Sequence, residues 1–177
     1  MWEKAFLGID LYDIMLWFLI YSILGWVVES IYMSICNRRL TNRGFSRVPM
    51  CPIYGVGAIT VYITLAPYGD NRILVFCLGA LLATSIEGIT AWVMIKLFGE
   101  IWWDYKDKPF NYKGVLCLES TIAWGVYTVV FFGMLHAFIQ QLIEEIPLRV
   151  GQRMGLFLII IYLFDFIIMF YKNRKGD

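Results

Sequence analysis

The sequence is short of charged residues. Only 16% of its 177 residues are charged, whereas soluble domains carry about 25%. Apolar residues make up 60% of the chain, against about 45–50% in an ordinary soluble domain. A soluble globule of this size would still leave roughly a third of its unfolded surface in water, and the chain has too few polar side chains to cover it. The composition therefore excludes a soluble enzyme and a disordered chain, and it indicates that lipid surrounds most of the protein.

An excess of positive charge and the common cofactor motifs are also missing. The net charge is only +1, so we expect no nucleic-acid partner, because such proteins rely on clustered basic residues. The four cysteines form no C-x-x-C pair and His136 is the only histidine, so we expect no metal site and no cofactor. No G-x-x-x-x-G-K-[ST] phosphate loop is present. Any use of ATP would therefore require a separate ATPase subunit.

Long apolar runs are the main feature that the sequence does contain. A helix crosses the hydrocarbon of a bilayer with about 20 mostly apolar residues. Five runs approach or exceed that length, at residues 14–36, 50–67, 73–95, 115–143 and 154–171. We therefore predict an all-α integral membrane protein with five transmembrane helices, which form a single transmembrane domain of residues 1–177. The glycines of Cys51-Pro-Ile-Tyr-Gly-Val-Gly57 indicate either a broken entrance to the second helix or a tightly packed helix start.

The distribution of basic residues predicts the orientation of these helices. One side of the membrane would hold Arg38, Arg39, Arg43, Arg47, Lys96, Lys106, Lys108, Lys113, Lys172, Arg174 and Lys175. The other side would hold only Lys4, Arg72, Arg149 and Arg153. Cytoplasmic loops carry the excess of Lys and Arg. We therefore expect the N-terminus outside and the C-terminus inside, in the inner (cytoplasmic) cell membrane.

The first four helices show a weak internal similarity. Glu29 is followed by a basic loop and then by Cys51, and Glu87 is followed by a basic loop and then by Cys117. This pattern suggests a tandem helical-hairpin repeat, with helices 1–2 and 3–4 as the two units and the fifth helix added. Parallel repeats of this kind occur in transporters, with binding sites at the repeat interface. The alternative is that two unrelated membrane hairpins share apolar helices and basic loops.

Four acidic residues lie inside the predicted spans: Glu29, Glu87, Glu119 and Asp165. Counted along each helix, they lie about 9–13 Å from the basic residues at the cytoplasmic ends. A charged group near the centre of a bilayer costs about 2.5–3.5 kcal/mol on insertion scales. We therefore predict a cytoplasm-facing acidic cavity that binds a cation, a proton or a cationic substrate.

Polar and aromatic side chains near these acids are expected to line the same cavity, namely Trp26, Tyr32, Tyr54, Thr84 and Ser120. The alternative is structural, with each protonated acid held by a hydrogen bond to a neighbouring helix. Such bonds average about 0.6 kcal/mol in membranes, which is less than the insertion cost of an acid. This comparison favours a functional role for the glutamates and leaves Asp165 open.

An aromatic loop follows the third predicted helix. Its densest part contains Trp102, Trp103, Asp104 and Tyr105. Trp and Tyr are typical of the membrane–water interface, so a plain interfacial anchor is one interpretation. The other is a lid under the acidic cavity, or a docking surface for a partner.

Several segments together resemble a known family. They are Gly25-Trp26-x-x-Glu29-Ser30, Pro49-x-Cys51-Pro-Ile-Tyr-Gly-x-Gly57, Phe98-x-x-x-Trp102-x-Asp104-Tyr105 and Asn111-Tyr-x-Gly-x-x-Cys117-Leu-Glu119-Ser120. They resemble small bacterial membrane proteins described as ABC-transporter permeases of the CmpB type, over roughly residues 11–171. The resemblance implies a permease or permease subunit that works with a separate ATPase subunit. Because five helices enclose little volume, we also expect a homo-oligomer or a membrane partner subunit.

Two other classes of function stay open. One is a non-catalytic membrane sensor or assembly partner that uses the aromatic loop to hold another protein. The other is an intramembrane lipid-modifying enzyme. It is less favoured, because the sequence has no serine–histidine pairing and no aspartate-rich prenyl-phosphate motif.

Overall fold

The computed structural model describes residues 5–6, 8–42 and 46–174, and its regular structure is almost entirely helical. The elements in chain order are β1 (Ala5–Phe6), β2 (Ile9–Asp10), α1 (Leu11–Asn37), α2 (Pro52–Leu65), a 3₁₀ turn (Ala66–Tyr68), α3 (Arg72–Phe98), β3 (Asn111–Tyr112), β4 (Leu116–Cys117), α4 (Leu118–Val130), a π-helical turn (Phe131–Leu135), α5 (His136–Glu144) and α6 (Leu148–Arg174). The short strands pair antiparallel, β1 with β2 and β3 with β4. The predicted all-α class is confirmed.

Four helical segments in the described part of the chain are long and apolar enough to cross a membrane. They are Leu11–Asn37, Arg72–Phe98, Leu118–Glu144 and Leu148–Asn173. Each contains or closely overlaps one of the predicted spans. Many large apolar side chains on these helices are exposed, including Ile73 and Ile35, as expected for surfaces that face lipid. The chain is a multi-pass membrane protein.

The second predicted span forms a shorter helix than expected. α2 has 14 residues, about 21 Å of helix, whereas a full crossing takes about 20 residues. Pro52 is the first residue of the helix. Pro67 lies in the 3₁₀ turn that ends it, because a proline lacks the amide hydrogen that a continuing helix requires. The two glycines do not interrupt α2, so the helix start is packed rather than broken.

The chain divides into two compact units, and the first consists of residues 1–59 and 142–177. Glycines let α1 approach its neighbours closely. Gly25 lies against the Tyr54 ring, and a Cβ atom on Gly55 would lie 2.5 Å from the Phe18 carbonyl oxygen. On α6, Gly151 lies against Tyr12 in the same way. Small residues at such contacts are typical of helix packing in lipid.

The second unit consists of residues 60–141 and is built on the antiparallel pair α3 and α4. The side chain of Asn71 accepts a hydrogen bond from the Leu74 amide and caps the start of α3. Gly99 ends α3 with a φ of 76°, a left-handed conformation that glycine adopts without steric cost. Gly79 and Gly125 allow the two helices to pack closely, against Thr128 and Phe76 respectively.

Candidate functional site

Glu87 is the most deeply buried acidic side chain of the described residues, with 4% of its surface exposed. Three donors surround its carboxyl group. The Tyr105 hydroxyl donates to Oε1 at 2.9 Å, and Trp124 Nε1 and the Ser120 hydroxyl donate to Oε2 at 3.2 and 3.4 Å. All three donors are neutral. They stabilise the carboxyl group by hydrogen bonds but supply no positive charge to balance an ionised form.

The start of α4 positions two of these donors. The Ser120 amide donates to Cys117 Sγ at 3.3 Å, and the Cys117 amide donates to the Ser120 hydroxyl at 3.4 Å. This reciprocal cap satisfies amides that the first turn of a helix leaves unbonded. Trp124 lies one turn after Ser120, so both side chains share the face of α4 that meets Glu87.

The contact continues one turn further along the same pair of helices. The Thr84 hydroxyl donates to the Thr121 hydroxyl at 3.1 Å. Thr84 lies three residues before Glu87 and therefore on the same face of α3. Two polar contacts therefore join α3 and α4, one between Thr84 and Thr121 and one between Glu87 and Ser120.

The aromatic loop supplies the third donor because it folds back on itself. The Tyr105 amide donates to the Gly114 carbonyl at 2.9 Å, and Trp103 Nε1 donates to the Val115 carbonyl at 2.8 Å. Gly114 has a φ of 71°, and a Cβ atom there would lie 3.0 Å from Asp104 Oδ1. These contacts hold the Tyr105 side chain over Glu87.

Trp102 and Asp104 contact residues of the loop or of the end of α3, and not Glu87. Trp102 packs on Phe98, with ring centroids 5.4 Å apart, and Asp104 accepts from the Lys106 amide at 2.9 Å. The exposed aromatic side chains are instead Phe110 and Tyr112, at 84% and 64%. Of the four loop residues named in the sequence analysis, Tyr105 is the one that contacts Glu87.

Glu119 does not join the Glu87 site, although it precedes Ser120 directly. Its carboxylate forms an ion pair of 2.9 Å with Lys108, and both side chains are substantially exposed. An exposed pair of this kind contributes about 0–1 kcal/mol. Glu87 and Glu119 therefore occupy different environments within the second unit.

The other two acids lie in the first unit. Glu29 accepts from the Cys51 thiol at 3.8 Å. Asp165 Oδ2 accepts from the backbone amides of Arg47 and Val48, at 2.6 and 3.3 Å. Asp165 thus fixes the segment before α2 to α6, a role that neither of the two sequence interpretations included.

The structure shows the following environments for the aromatic residues predicted near Glu29. Trp26 Nε1 donates to Asn42 Oδ1 at 2.7 Å, Tyr54 packs against Gly25, and Tyr32 is 52% exposed. Glu87, the most deeply buried acid of the described residues, is the centre of the candidate site. Within the described residues no group of three or more His, Cys, Asp or Glu side chains could hold a metal ion.

Two residues that bond to the acids were not predicted from the sequence. They are Trp124, the partner of Glu87, and Lys108, the partner of Glu119. The position of Trp124, one turn beyond Ser120, was the available signal, since an i, i+4 pair shares one helix face. Lys108 carried no such signal, because the path of the aromatic loop brings it to Glu119.

A family model described as "Putative ABC-transporter type IV" matches residues 16–170, which is most of the chain. No curated protein and no solved structure gives a significant match.

Proposed function

Because the chain belongs to this ABC-transporter type IV family, we propose that it is a permease or permease subunit in which Glu87 binds a proton or another cation. The chain lacks a phosphate-binding loop, so an ATP-driven complex would take its ATPase from a separate subunit. The observation that carries the proposal is a buried carboxyl group whose partners are all neutral donors.

The charge of Glu87 determines what the site can bind. An ionised carboxylate without a counter-charge is costly to bury, even when it is hydrogen-bonded. Tyr105, Ser120 and Trp124 orient the group and satisfy its oxygens, but none of them can neutralise it. A proton or a bound cation, including a cationic group of a substrate, would supply the missing charge. Exchange of that positive species is the step that a transport protein can use.

The aromatic loop would control access to this group. Tyr105 belongs to the loop that follows α3, and its hydroxyl covers Oε1 of Glu87. Hydrogen bonds from its backbone and from Trp103 join the two halves of the loop, so it can move as one piece while these bonds persist. We propose that it acts as a lid on the cytoplasmic side of the site.

The basic loops support five membrane crossings, with α2 as the short one. Basic residues follow α1 at Arg38 and Arg39, and they follow α3 at Lys106 and Lys108. If both loops are cytoplasmic, α1 and α3 cross in the same direction, so α2 must cross back between them. The 3₁₀ turn to Tyr68 extends the helical segment beyond Leu65 and helps it to span the bilayer.

Reporter fusions test this topology. An odd number of crossings places the two termini on opposite sides of the membrane. We therefore expect a fluorescent protein that folds only in the cytoplasm to be active at the C-terminus and inactive at the N-terminus. Alkaline phosphatase, which is active only outside, serves as the reciprocal control. Both termini on one side would mean an even number of crossings and would contradict the five-helix proposal.

Infrared difference spectroscopy tests the binding proposal on the full chain in lipid nanodiscs, without a partner subunit. The spectra are recorded at two pH values, and with and without Na⁺ or K⁺. We expect the carbonyl band of a protonated carboxyl group to change with pH or with one of these cations, because Glu87 exchanges its positive partner. Spectra that respond to neither pH nor these cations would contradict the proposal.

A further inference from the structure

A groove on the first unit lies beside the point where Asp165 holds the segment before α2. Its volume is about 570 Å³, within the roughly 300–1,000 Å³ of typical small-molecule sites. Arg47 and Asp165 lie among its walls, and the rest is mainly the apolar side chains of Ile160, Ile161, Phe164 and Ile168. The groove therefore has an apolar floor and one pair of opposite charges.

The apolar floor suits a hydrocarbon chain. The residues from Ile160 to Ile168 cover about 12 Å along α6, and Phe164 is 68% exposed. α6 is long and apolar enough to span the membrane, so this surface lies at the depth of the lipid tails. Along α6, Asp165 follows Ile160, Ile161 and Phe164 in the groove lining and precedes Ile168.

The Asp165 carboxylate and the Arg47 guanidinium each keep hydrogen-bonding capacity for a ligand. The amides of Arg47 and Val48 both donate to Oδ2 of Asp165. Oδ1 receives no hydrogen bond from the residues that the structure describes. The bond from Arg47 uses its backbone amide, so the guanidinium group is not needed to hold the segment in place.

We propose that this groove binds a phospholipid whose headgroup carries both a phosphate and a primary ammonium group, as in phosphatidylethanolamine. The Arg47 guanidinium would bind the phosphate, since its planar donors match phosphate oxygens. Oδ1 of Asp165 would accept a hydrogen bond from the ammonium group. Phosphatidylcholine has no N–H donor for Asp165, and phosphatidylglycerol has no cation for it. The site is independent of Glu87, so either proposal can fail alone.

Native mass spectrometry of the full chain tests the proposal, with phosphatidylethanolamine, phosphatidylcholine and phosphatidylglycerol offered at equal concentration. We expect about tenfold more bound phosphatidylethanolamine than either of the others, the ratio that one charge-assisted hydrogen bond gives. Arg47→Ala should weaken its binding about tenfold while the backbone bond to Asp165 remains, and Arg47→Lys should restore part of it. Equal binding of the three lipids, or a preference for either of the others, would overturn the proposal.

A matched pair of tryptophan variants on α6 tests the place of binding. Ile161→Trp would fill the groove, so it should reduce the binding of phosphatidylethanolamine. Leu163→Trp adds the same side chain to an exposed position outside the groove lining and should leave binding unchanged. Equal loss in both variants, or no loss in Ile161→Trp, would show that the lipid does not occupy this groove.

Discussion

Glu87→Gln should abolish the pH- or cation-dependent infrared band and reduce ion flux into liposomes to the level of protein-free vesicles. Glutamine has nearly the same shape, and its carbonyl oxygen can still accept from Tyr105 or Trp124. It cannot release a proton or balance a cation. Liposomes loaded with a pH-sensitive dye measure the flux, and thermal unfolding in detergent checks that the α3–α4 pair remains folded.

Glu119→Gln is the matched control for this experiment. The substitution is the same and the residue lies on the adjacent helix, but Glu119 is exposed and paired with Lys108. We expect its infrared band and flux to resemble those of the unmodified chain, with a change in stability of less than about 1 kcal/mol. A Glu87→Gln variant that keeps the band, or a control that loses it equally, would remove Glu87 from its proposed role.

The four long apolar helices were predictable from the sequence because lipid imposes one dominant constraint. Runs such as residues 73–95 and 154–171 can be identified without knowledge of their tertiary contacts. The bilayer itself requires apolar side chains and a backbone whose hydrogen bonds are made within the helix. α2 is the instructive exception. Its apolar run suggested residues 50–67, but the regular α-helix extends only over Pro52–Leu65. Hydropathy does not register the proline at position 67, which ends the α-helical hydrogen bonding.

The candidate site was only partly predictable. Position along the helices placed four acids at a similar depth, and it grouped Thr84 and Ser120 with them. Depth does not determine which way a helix is rotated, however. Rotation buries Glu87 against α4 and turns Glu119 toward Lys108. The contact of Tyr105 with Glu87 depends on the folded path of the loop, which no local pattern encodes.

Gly55→Ala should destabilise the protein more than any other Gly→Ala change on α2. Its Cβ atom would lie 2.5 Å from the carbonyl oxygen and 2.8 Å from a ring carbon of Phe18, and 2.5 Å from the Ser22 hydroxyl. The carbonyl belongs to the α1 backbone and cannot turn aside, so the two helices must separate. Overpacking of this kind costs about 1–3 kcal/mol, which thermal unfolding in detergent would register as a lower Tm.

Gly57→Ala provides an internal comparison, because it makes the same change two residues further along α2. Apart from Gly57, its chain neighbours and the adjoining backbone of α2, no atom of the described residues lies within 4 Å of the added methyl group, and alanine favours a helix over glycine by about 1 kcal/mol. The two variants should therefore shift Tm in opposite directions. If Gly55→Ala were as stable as Gly57→Ala, α1 and α2 would not be in backbone contact. The close approach that places Cys51 beside Glu29 would then lose its structural basis.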